Sequence, residues 1–457
     1  MSQRLNISGS TLPIPIAATD NPLAMLGEQT KQALREKALQ YSRVCVIGLG
    51  YVGLPTALLF ARNGFGVQGV DISPRVLTMF EQDTVGEAYP ELAPWWQEVR
   101  DKKQEQGVQP AFTVSRQPDA ADIFLITVPT PVHENDKTCD LSMVRAAIAS
   151  ILPVLAPGNV IVLESTVPPG TTQRVLQTMI EMETALTVGK NLETDIYLCF
   201  SPERVLPGNT TDELVHNDRV IGGVTPEAAY LGQQVLSRVL KGRIDVTDAI
   251  TAEFCKLAEN TYRDVNIALA NELSVLADEY GISILQARDI INRHPRVNLL
   301  QPGIGVGGHC IAVDPWFFVE ASPMNTRLIA TSRQVNDRMP FYTTERILKD
   351  VADLKNPRIV LAGLAYKPDV ADTRESPAMR VVELLREAGM DVLAYDPLLH
   401  DPKSNQVDSL TQTTLIEKVQ GADYLAILVN HSVLRNALAA HRPVIEATMR
   451  TPRIRVF

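Results

Sequence analysis

Between Val44 and Ala57 the chain reads Val-Cys-Val-Ile-Gly48-Leu-Gly50-Tyr51-Val52-Gly53-Leu-Pro-Thr-Ala, an order of residues that few architectures accept. An apolar run that breaks on spaced glycines and resumes with a helical pattern is a strand, a tight turn and a helix N-terminus in succession. Each glycine has its own steric duty. Gly48 allows the turn, Gly50 lets a pyrophosphate approach the backbone, and Gly53 permits close packing of helix on strand. The unpaired N–H groups of the helix N-terminus then face the anion. Asp71 closes the next predicted strand, where a carboxylate accepts hydrogen bonds from an adenosine ribose, the mark of NAD. Arg75 just beyond it is the one feature that would suit the 2′-phosphate of NADP.

At 457 residues the chain exceeds a single hydrophobic core, so at least two domains are expected. The balance of 43 Lys+Arg against 53 Asp+Glu, a formal charge of −10, and the lack of a strongly basic run argue against a nucleic-acid partner. The five cysteines form no C-x-x-C pair and follow no signal-like segment, which predicts a reducing, cytoplasmic setting. No apolar run approaches the roughly 18 to 20 residues of a membrane span, so no membrane partner is expected.

Short β-rich runs alternate with helical stretches from Arg43 onward, with strands predicted at 43–47, 67–71, 122–128, 160–164 and 195–199. Apolar residues recur at three- and four-residue steps from Ala249 to Tyr280, predicting one long helix. A second α/β block begins near Arg358, with strands at 359–363, 391–395 and 423–429 and with Ser376-Pro377 as the start of a helix. Its Gly363-Leu-Ala365 and Tyr395-Asp396 echo Gly48-Leu-Gly50 and Val70-Asp71. The predicted class is therefore α/β: an N-terminal Rossmann domain with a parallel sheet (42–245), a central long-helix domain (246–345) and a C-terminal second Rossmann-like α/β domain (346–457). Residues 1–41 read as a loose N-terminal extension in which 23–39 can form a charged helix.

Several constellations can carry chemistry. Gly-Ile-Gly-Val-Gly307-Gly-His309-Cys310-Ile-Ala-Val-Asp314 places a thiol on a glycine-rich turn with a carboxylate one helical turn on. A buried, inert cysteine satisfies the same local pattern. Lys256, Asn260 and Arg263 share a face of the long helix and suit an oxyanion, although Glu253 on the same side can neutralise Lys256. Thr130 and Thr166 lie in loops after predicted strands, where ligands of open α/β sheets sit, and ordinary turn chemistry also explains them. Glu203 is a candidate base and Arg204 a candidate anion contact, with a mutual salt bridge as the plainer reading. The cluster Asn292-Arg-His294-Pro-Arg296 and the segment Tyr366-Lys367-Pro-Asp-Val-Ala-Asp-Thr-Arg374 add cations for phosphate, or for solvent. A metal at His309-Cys310 is disfavoured, because adjacent residues ligate one ion poorly and no supporting pair is visible.

Taken in order, these motifs resemble the UDP-sugar 6-dehydrogenase family, also called the UDP-glucose/GDP-mannose dehydrogenase family, from about Arg43 to Asp396. The resemblance rests on Gly48-Leu-Gly-Tyr-Val-Gly53-Leu-Pro, Val128-Pro-Thr-Pro, Glu164-Ser-Thr-Val-Pro, Ser201-Pro-Glu-Arg, Lys256-x-x-x-Asn260, Gly307-Gly-His-Cys310-x-x-x-Asp314 and Lys367 through Arg374. The segments around Cys255 and Asn292 look most like the UDP-N-acetyl-D-mannosamine dehydrogenases. The resemblance implies an NAD-dependent, four-electron oxidation of a sugar primary alcohol at carbon 6, serving surface polysaccharide synthesis. It implies Cys310 as the nucleophile that forms a thiohemiacetal and then a thioester, with Lys256 and Asn260 on the oxyanion. Asp314 would activate water and Glu203 would assist proton transfer. It further implies Gly48, Gly50, Tyr51, Val52, Gly53, Asp71, Arg75, Thr130 and Thr166 toward NAD. Arg204, Val205, Lys256, Asn260, Arg263, His294, Arg296, Gly307, Tyr366, Lys367 and Arg374 would hold the UDP-sugar, and a homo-oligomer, at least a dimer, would be built on the long helix with Arg296 reaching across. The stretch Gly86 to Trp96 and Arg450 depart from the family pattern.

The sugar stays open among N-acetylmannosamine, N-acetylglucosamine, their galacto relatives and glucose. A two-electron hydroxy-acid dehydrogenase shares the Rossmann block and the Lys-x-x-x-Asn pair but needs no nucleophilic cysteine. A catalytically silent nucleotide-sugar-binding protein would keep the binding residues alone.

Overall fold

The computed structural model describes residues 22–105, 112–133, 135–205, 210–308, 310–399 and 415–457, so His309 lies outside the described residues. Nine strands form the first sheet: β1 (Arg43–Ile47), β2 (Gly66–Val70), β3 (Phe112–Ser115), β4 (Ile123–Ile126), β5 (Val160–Leu163), β6 (Thr187–Val188), β7 (Asp195–Phe200), β8 (Arg219–Gly223) and β9 (Ile244–Asp248). Their order is β3-β2-β1-β4-β5-β7-β8-β9, with β6 beside β7. All pairings are parallel except β7 with β8. Every residue of Ile-Phe-Leu-Ile in β4 and Val-Ile-Val-Leu in β5 is buried, as a sheet covered on both faces demands. Alternate residues of β1 feed opposite cores: Val44 and Val46 one, Cys45 and Ile47 the other.

The second sheet, β10 (Arg358–Ala362), β11 (Asp391–Tyr395), β12 (Tyr424–Ile427) and β13 (Arg453–Val456), is parallel with the order β11-β10-β12-β13. Between the sheets run the long helix Ala249–Glu279 and the helices Ile284–Ile291, Asp314–Ala321 and Arg327–Asp350. Asp248 starts the long helix by accepting the Thr251 N–H at 2.9 Å. No helix among the described residues is long and apolar enough to cross a membrane.

The N-terminal segment forms the charged helix expected of residues 23–39 but does not leave it loose, and residues 1–21 of the extension lie outside the described residues. Residues Glu28–Gln40 form a helix, and the helix is docked rather than loose. Leu34 and Ala38 are buried, Arg35 donates to the Tyr230 hydroxyl at 3.0 Å, and Arg238 donates to the carbonyls of Ala38 and Tyr41 at 2.8 and 2.6 Å. The Arg238 guanidinium meets the carbonyls that a helix end leaves without intrahelical partners. Burying Leu34 alone is worth about 2 kcal/mol.

Candidate active site

The glycine turn after β1 is shaped by close contacts. Gly48 sits at φ +93°, and a Cβ on Gly53 would stand 1.8 Å from the Gly48 carbonyl oxygen, so neither position tolerates a side chain. Gly50, by contrast, has open space where a Cβ would go, room through which a phosphate group can approach its backbone. Asp71 accepts the Leu49 N–H on one carboxylate oxygen and the Ser73 N–H on the other, each at 2.8 Å. It remains partly accessible, so each oxygen keeps a lone pair for a ribose hydroxyl. Arg75 is exposed, and the nearby Ile72 is 80 % exposed. These features fit a dinucleotide.

Two strand-end loops meet beside this turn. Thr130 donates its hydroxyl to the Thr166 carbonyl at 2.7 Å, and Ser165 donates to the Val128 carbonyl at 2.7 Å. Thr127, which sequence reasoning passed over, donates to the carbonyls of Ile47 and Gly48 at 3.0 and 2.6 Å and so braces the turn from β4. Its place at the end of β4, directly before Val128-Pro-Thr130, is the signal that was there to be read. Tyr51 is bound through its hydroxyl to Thr210 at 2.8 Å, and Thr210 donates in turn to Glu91 at 3.1 Å. The divergent 86–96 stretch is thereby tied to the glycine turn.

Cys310 lies where the two halves of the molecule meet. The loop before it is held by Asn271 of the long helix, whose side-chain oxygen accepts the Gly303 N–H at 2.8 Å. A Cβ on Gly307 would come within 2.3 Å of the Glu375 carbonyl, so the C-terminal domain packs directly on this backbone. The Cys310 carbonyl accepts the N–H groups of Val313 and Asp314 at 3.0 and 2.8 Å, a tight turn that starts the helix at Asp314. Cys310 keeps an exposed surface although residues of both halves crowd its thiol. Burial pushes its thiol up to about 11, with Asp314 and Glu203 adding to the effect and Lys256 and Arg374 opposing it. Asp314 is 3 % exposed, and desolvation raises it to about 6 against the pull of Lys256 and of Asn260, which donates to it at 2.6 Å.

Glu203 also lies deep, and burial raises it while Arg219 and Lys256 pull it down; one oxygen accepts the Val205 N–H. Arg219 faces a second buried carboxylate, Glu164, at 3.8 Å. Glu203 and Arg204 do not pair with each other: Arg204 donates to Glu259 of the long helix and to the Asp218 carbonyl at 3.2 Å. Glu253 does not neutralise Lys256 as its spacing suggested. It is fully buried and accepts the Thr172 N–H and hydroxyl at 2.8 and 2.6 Å, together with the Gly170 N–H. The alternative it replaces fails because a helical face three residues wide is divided by tertiary packing.

On the C-terminal side, Lys367 is close enough to Arg263 for the two charges to act on each other, and burial first, then Arg263, lowers its affinity for a proton. Arg374 forms a forked pair with Asp372 at 2.7 to 3.1 Å. Tyr366 packs its ring against Gly308. His294 and Arg296 stand exposed on the turn after the helix Ile284–Ile291, outside the buried cluster. Arg450 is held by Asp423 and by the Asn356 carbonyl at 3.3 Å, a clamp within the C-terminal domain.

Models of the UDP-glucose/GDP-mannose dehydrogenase family match the NAD-binding domain at residues 42–240, the central domain at 250–338 and the UDP-binding domain at 360–454. The chain belongs to this family. It is an NAD-dependent UDP-sugar dehydrogenase. Among its curated relatives, the UDP-N-acetyl-D-mannosamine dehydrogenase of Methanocaldococcus jannaschii is 43 % identical over 86 % of this chain and 87 % of its own. The NDP-N-acetyl-D-galactosaminuronic acid dehydrogenase of Ralstonia solanacearum is 42 % identical over 87 % of this chain and 92 % of its own. A solved UDP-N-acetyl-mannosamine dehydrogenase from S. aureus superposes with a TM-score of 0.80 at 40 % identity, covering 90 % of this chain and 94 % of that one.

Proposed function

We propose that this dehydrogenase oxidises carbon 6 of a UDP-N-acetylhexosamine, UDP-N-acetyl-D-mannosamine first among them, to the uronate, with Cys310 holding the sugar between two oxidations. The supporting observation is that Asp314, Lys256 and Glu203 all act on the Cys310 thiol, on a loop whose Gly307 packs against Glu375 of the UDP-binding domain. The relatives named for N-acetylmannosamine support the choice of sugar. Bound NAD supplies a hydride acceptor for each oxidation.

The residues divide the work as follows. Glu203, raised by burial, takes the hydroxyl proton as the alcohol becomes an aldehyde. The Cys310 sulfur adds to the aldehyde carbon, and Lys256 and Asn260 hold the oxyanion of the thiohemiacetal, a stabilisation of about 3 kcal/mol for one well-placed donor. Loss of the second hydride leaves a thioester on Cys310. Asp314 then takes a proton from the water that attacks this thioester, which returns the thiol and frees the carboxylate. Lys367, Arg374, Arg263 and Arg204 hold the diphosphate and sugar, and Asp71 the NAD ribose.

A homodimer completes the reading. Tyr262, Leu269, Leu276 and Tyr280 stand exposed along the long helix at steps of seven, seven and four residues, an apolar stripe that a second copy would cover. The exposed Arg296 would then reach the partner's sugar site. All five cysteines are free, which suits a reducing cytoplasm, and the uronate product suits assembly of a surface polysaccharide.

The test is a panel of UDP-sugars with NADH counted per product. Two NADH per uronate and an acid-trapped acyl group on Cys310 are expected, with N-acetylmannosamine preferred. One NADH per turnover, with no acyl group on the cysteine, would end the thioester reading.

A further inference from the structure

The two sheets share one local design, and the place where they part company assigns a role to a residue outside the Cys310 site. In the first, Gly48 N–H donates to the Val70 carbonyl at 2.8 Å and Leu49 N–H to Asp71 at 2.8 Å. In the second, Gly363 N–H donates to the Tyr395 carbonyl at 2.9 Å, and the N–H groups of Leu364 and Ala365 donate to Asp396 at 2.6 and 3.1 Å. Asp71 keeps open surface for a ribose, whereas Asp396 is 1 % exposed. The side chain that seals it is His431, itself fully buried, with Nε2 at 3.0 Å from the same carboxylate oxygen that takes Leu364 and Ala365. The other oxygen takes the Leu398 N–H at 2.9 Å. A carboxylate so buried and so engaged presents no accessible oxygen to a sugar hydroxyl.

His431 faces two ways. Its Nδ1 accepts the Asp369 N–H at 2.8 Å, so the hydrogen-bond network places the ring proton on Nε2, where it is donated to Asp396. Asp369 lies two residues after Lys367 and five before Arg374, at φ +61°, a left-handed conformation that is costly for aspartate and persists only when held. It is held twice. Besides its N–H on His431, its carboxylate accepts the Ser432 N–H and hydroxyl, each at 2.7 Å, at the start of the helix Ser432–Thr448. Near its ends the loop is closed by the Tyr366 N–H on the Asp372 carbonyl at 2.9 Å.

We propose that His431 is a positioning residue for the nucleotide: by accepting the Asp369 N–H at Nδ1, the nitrogen that the bond to Asp396 leaves free to accept, it fixes the loop from which Lys367 and Arg374 reach the UDP diphosphate. The second sheet has thus exchanged the ribose-accepting acid of the first for an anchor, and recognises its nucleotide from the loop instead. This rests on the reading of Lys367 and Arg374 as nucleotide contacts.

Two near-isosteric replacements separate the two bonds of the ring. His431→Asn keeps an acceptor near Nδ1 and loses the bond to Asp396; His431→Gln keeps a donor near Nε2 and loses the bond to Asp369. The readouts are calorimetric binding of UDP, KM for the UDP-sugar and for NAD, kcat and melting temperature. The expected result is UDP affinity near wild type for His431→Asn. For His431→Gln we expect a loss of about ten-fold in UDP affinity, mirrored in the UDP-sugar KM, with KM for NAD and kcat within about two-fold. His431→Leu, if it folds, should match His431→Gln; if it does not fold, the Asn and Gln pair decides. Equal UDP affinity for Asn and Gln, or a parallel weakening of UDP and NAD, overturns the proposal. Lys367→Ala serves as the control: unchanged UDP affinity there would remove the underlying reading of the loop, whereas a weakened Lys367→Ala beside unaffected His431 variants would remove only the role of His431.

Discussion

A thiol raised to about 11 is almost wholly protonated at neutral pH, so Cys310 needs a cation to become a nucleophile. Lys256 is the cation that favours its ionised form most, ahead of Arg374. Replacing Lys256 with Met should therefore slow iodoacetamide alkylation of Cys310 and lower kcat by about 100-fold, in line with the loss of one oxyanion donor. An alkylation rate equal to wild type would separate the lysine from the thiol. Asp314 makes a pH prediction. Its folded value of about 6 lies above the ordinary 3.8, and it acts as a base only when ionised, so release of the acyl group should fail as pH drops through about 6. Asp314→Asn should leave a slow rate without that acid limb, as read from steady-state profiles. The same shift has a cost in stability: the folded chain holds the proton between about 4 and 6, so this carboxylate's contribution falls as pH rises through that window.

The elements that position these groups are held by buried polar networks. Asp264 accepts from Arg333 at 2.6 Å and from Asn336 at 2.8 Å, Asn271 donates to Asn336 at 2.9 Å, and Asn271 accepts the Gly303 N–H. The chain of bonds runs from the helix Arg327–Asp350 through the long helix to the loop before Cys310. Asn271→Ala would strand a donor and an acceptor in the interior, and should cost about 1 to 3 kcal/mol with an unchanged m-value in urea. A midpoint like wild type would show that the loop is anchored elsewhere. Gly53→Ala tests the cofactor turn, because a methyl 1.8 Å from the Gly48 oxygen must displace it; loss of NAD binding with UDP binding intact is the expected outcome. Elements of this kind were readable to different degrees. Strands such as β4 and β5, apolar throughout, announced themselves, while β8, which is Arg-Val-Ile-Gly-Gly, and β9, which is Ile-Asp-Val-Thr-Asp, did not. Glycine, charge and alternating polarity mask strands whose pairing comes from neighbours rather than from their own propensity.

At the scale of the whole molecule, the long helix carries an exposed apolar stripe with Leu269 in it. Leu269→Arg would place a charge at its middle, and light scattering should then show a monomer with its NAD affinity unchanged. A native oligomer that survives the substitution would place the interface elsewhere. The chain by itself determined the class of fold, the NAD turn, the thiol and the cations, because each depends on residue type and spacing along a strand, turn or helix. Tertiary structure alone decided which partners those groups keep. Glu253 left Lys256 for the Gly170–Thr172 turn, Arg204 left Glu203 for Glu259, and the N-terminal helix docked on Arg238. Asp71 and Asp396 close matching strands in matching motifs, yet one stays open and the other is sealed by His431, which is distant along the chain and adjacent only once the sheet has formed. Spacing sets what a side chain can reach locally, and packing sets which of those reaches is desolvated, paired and therefore kept.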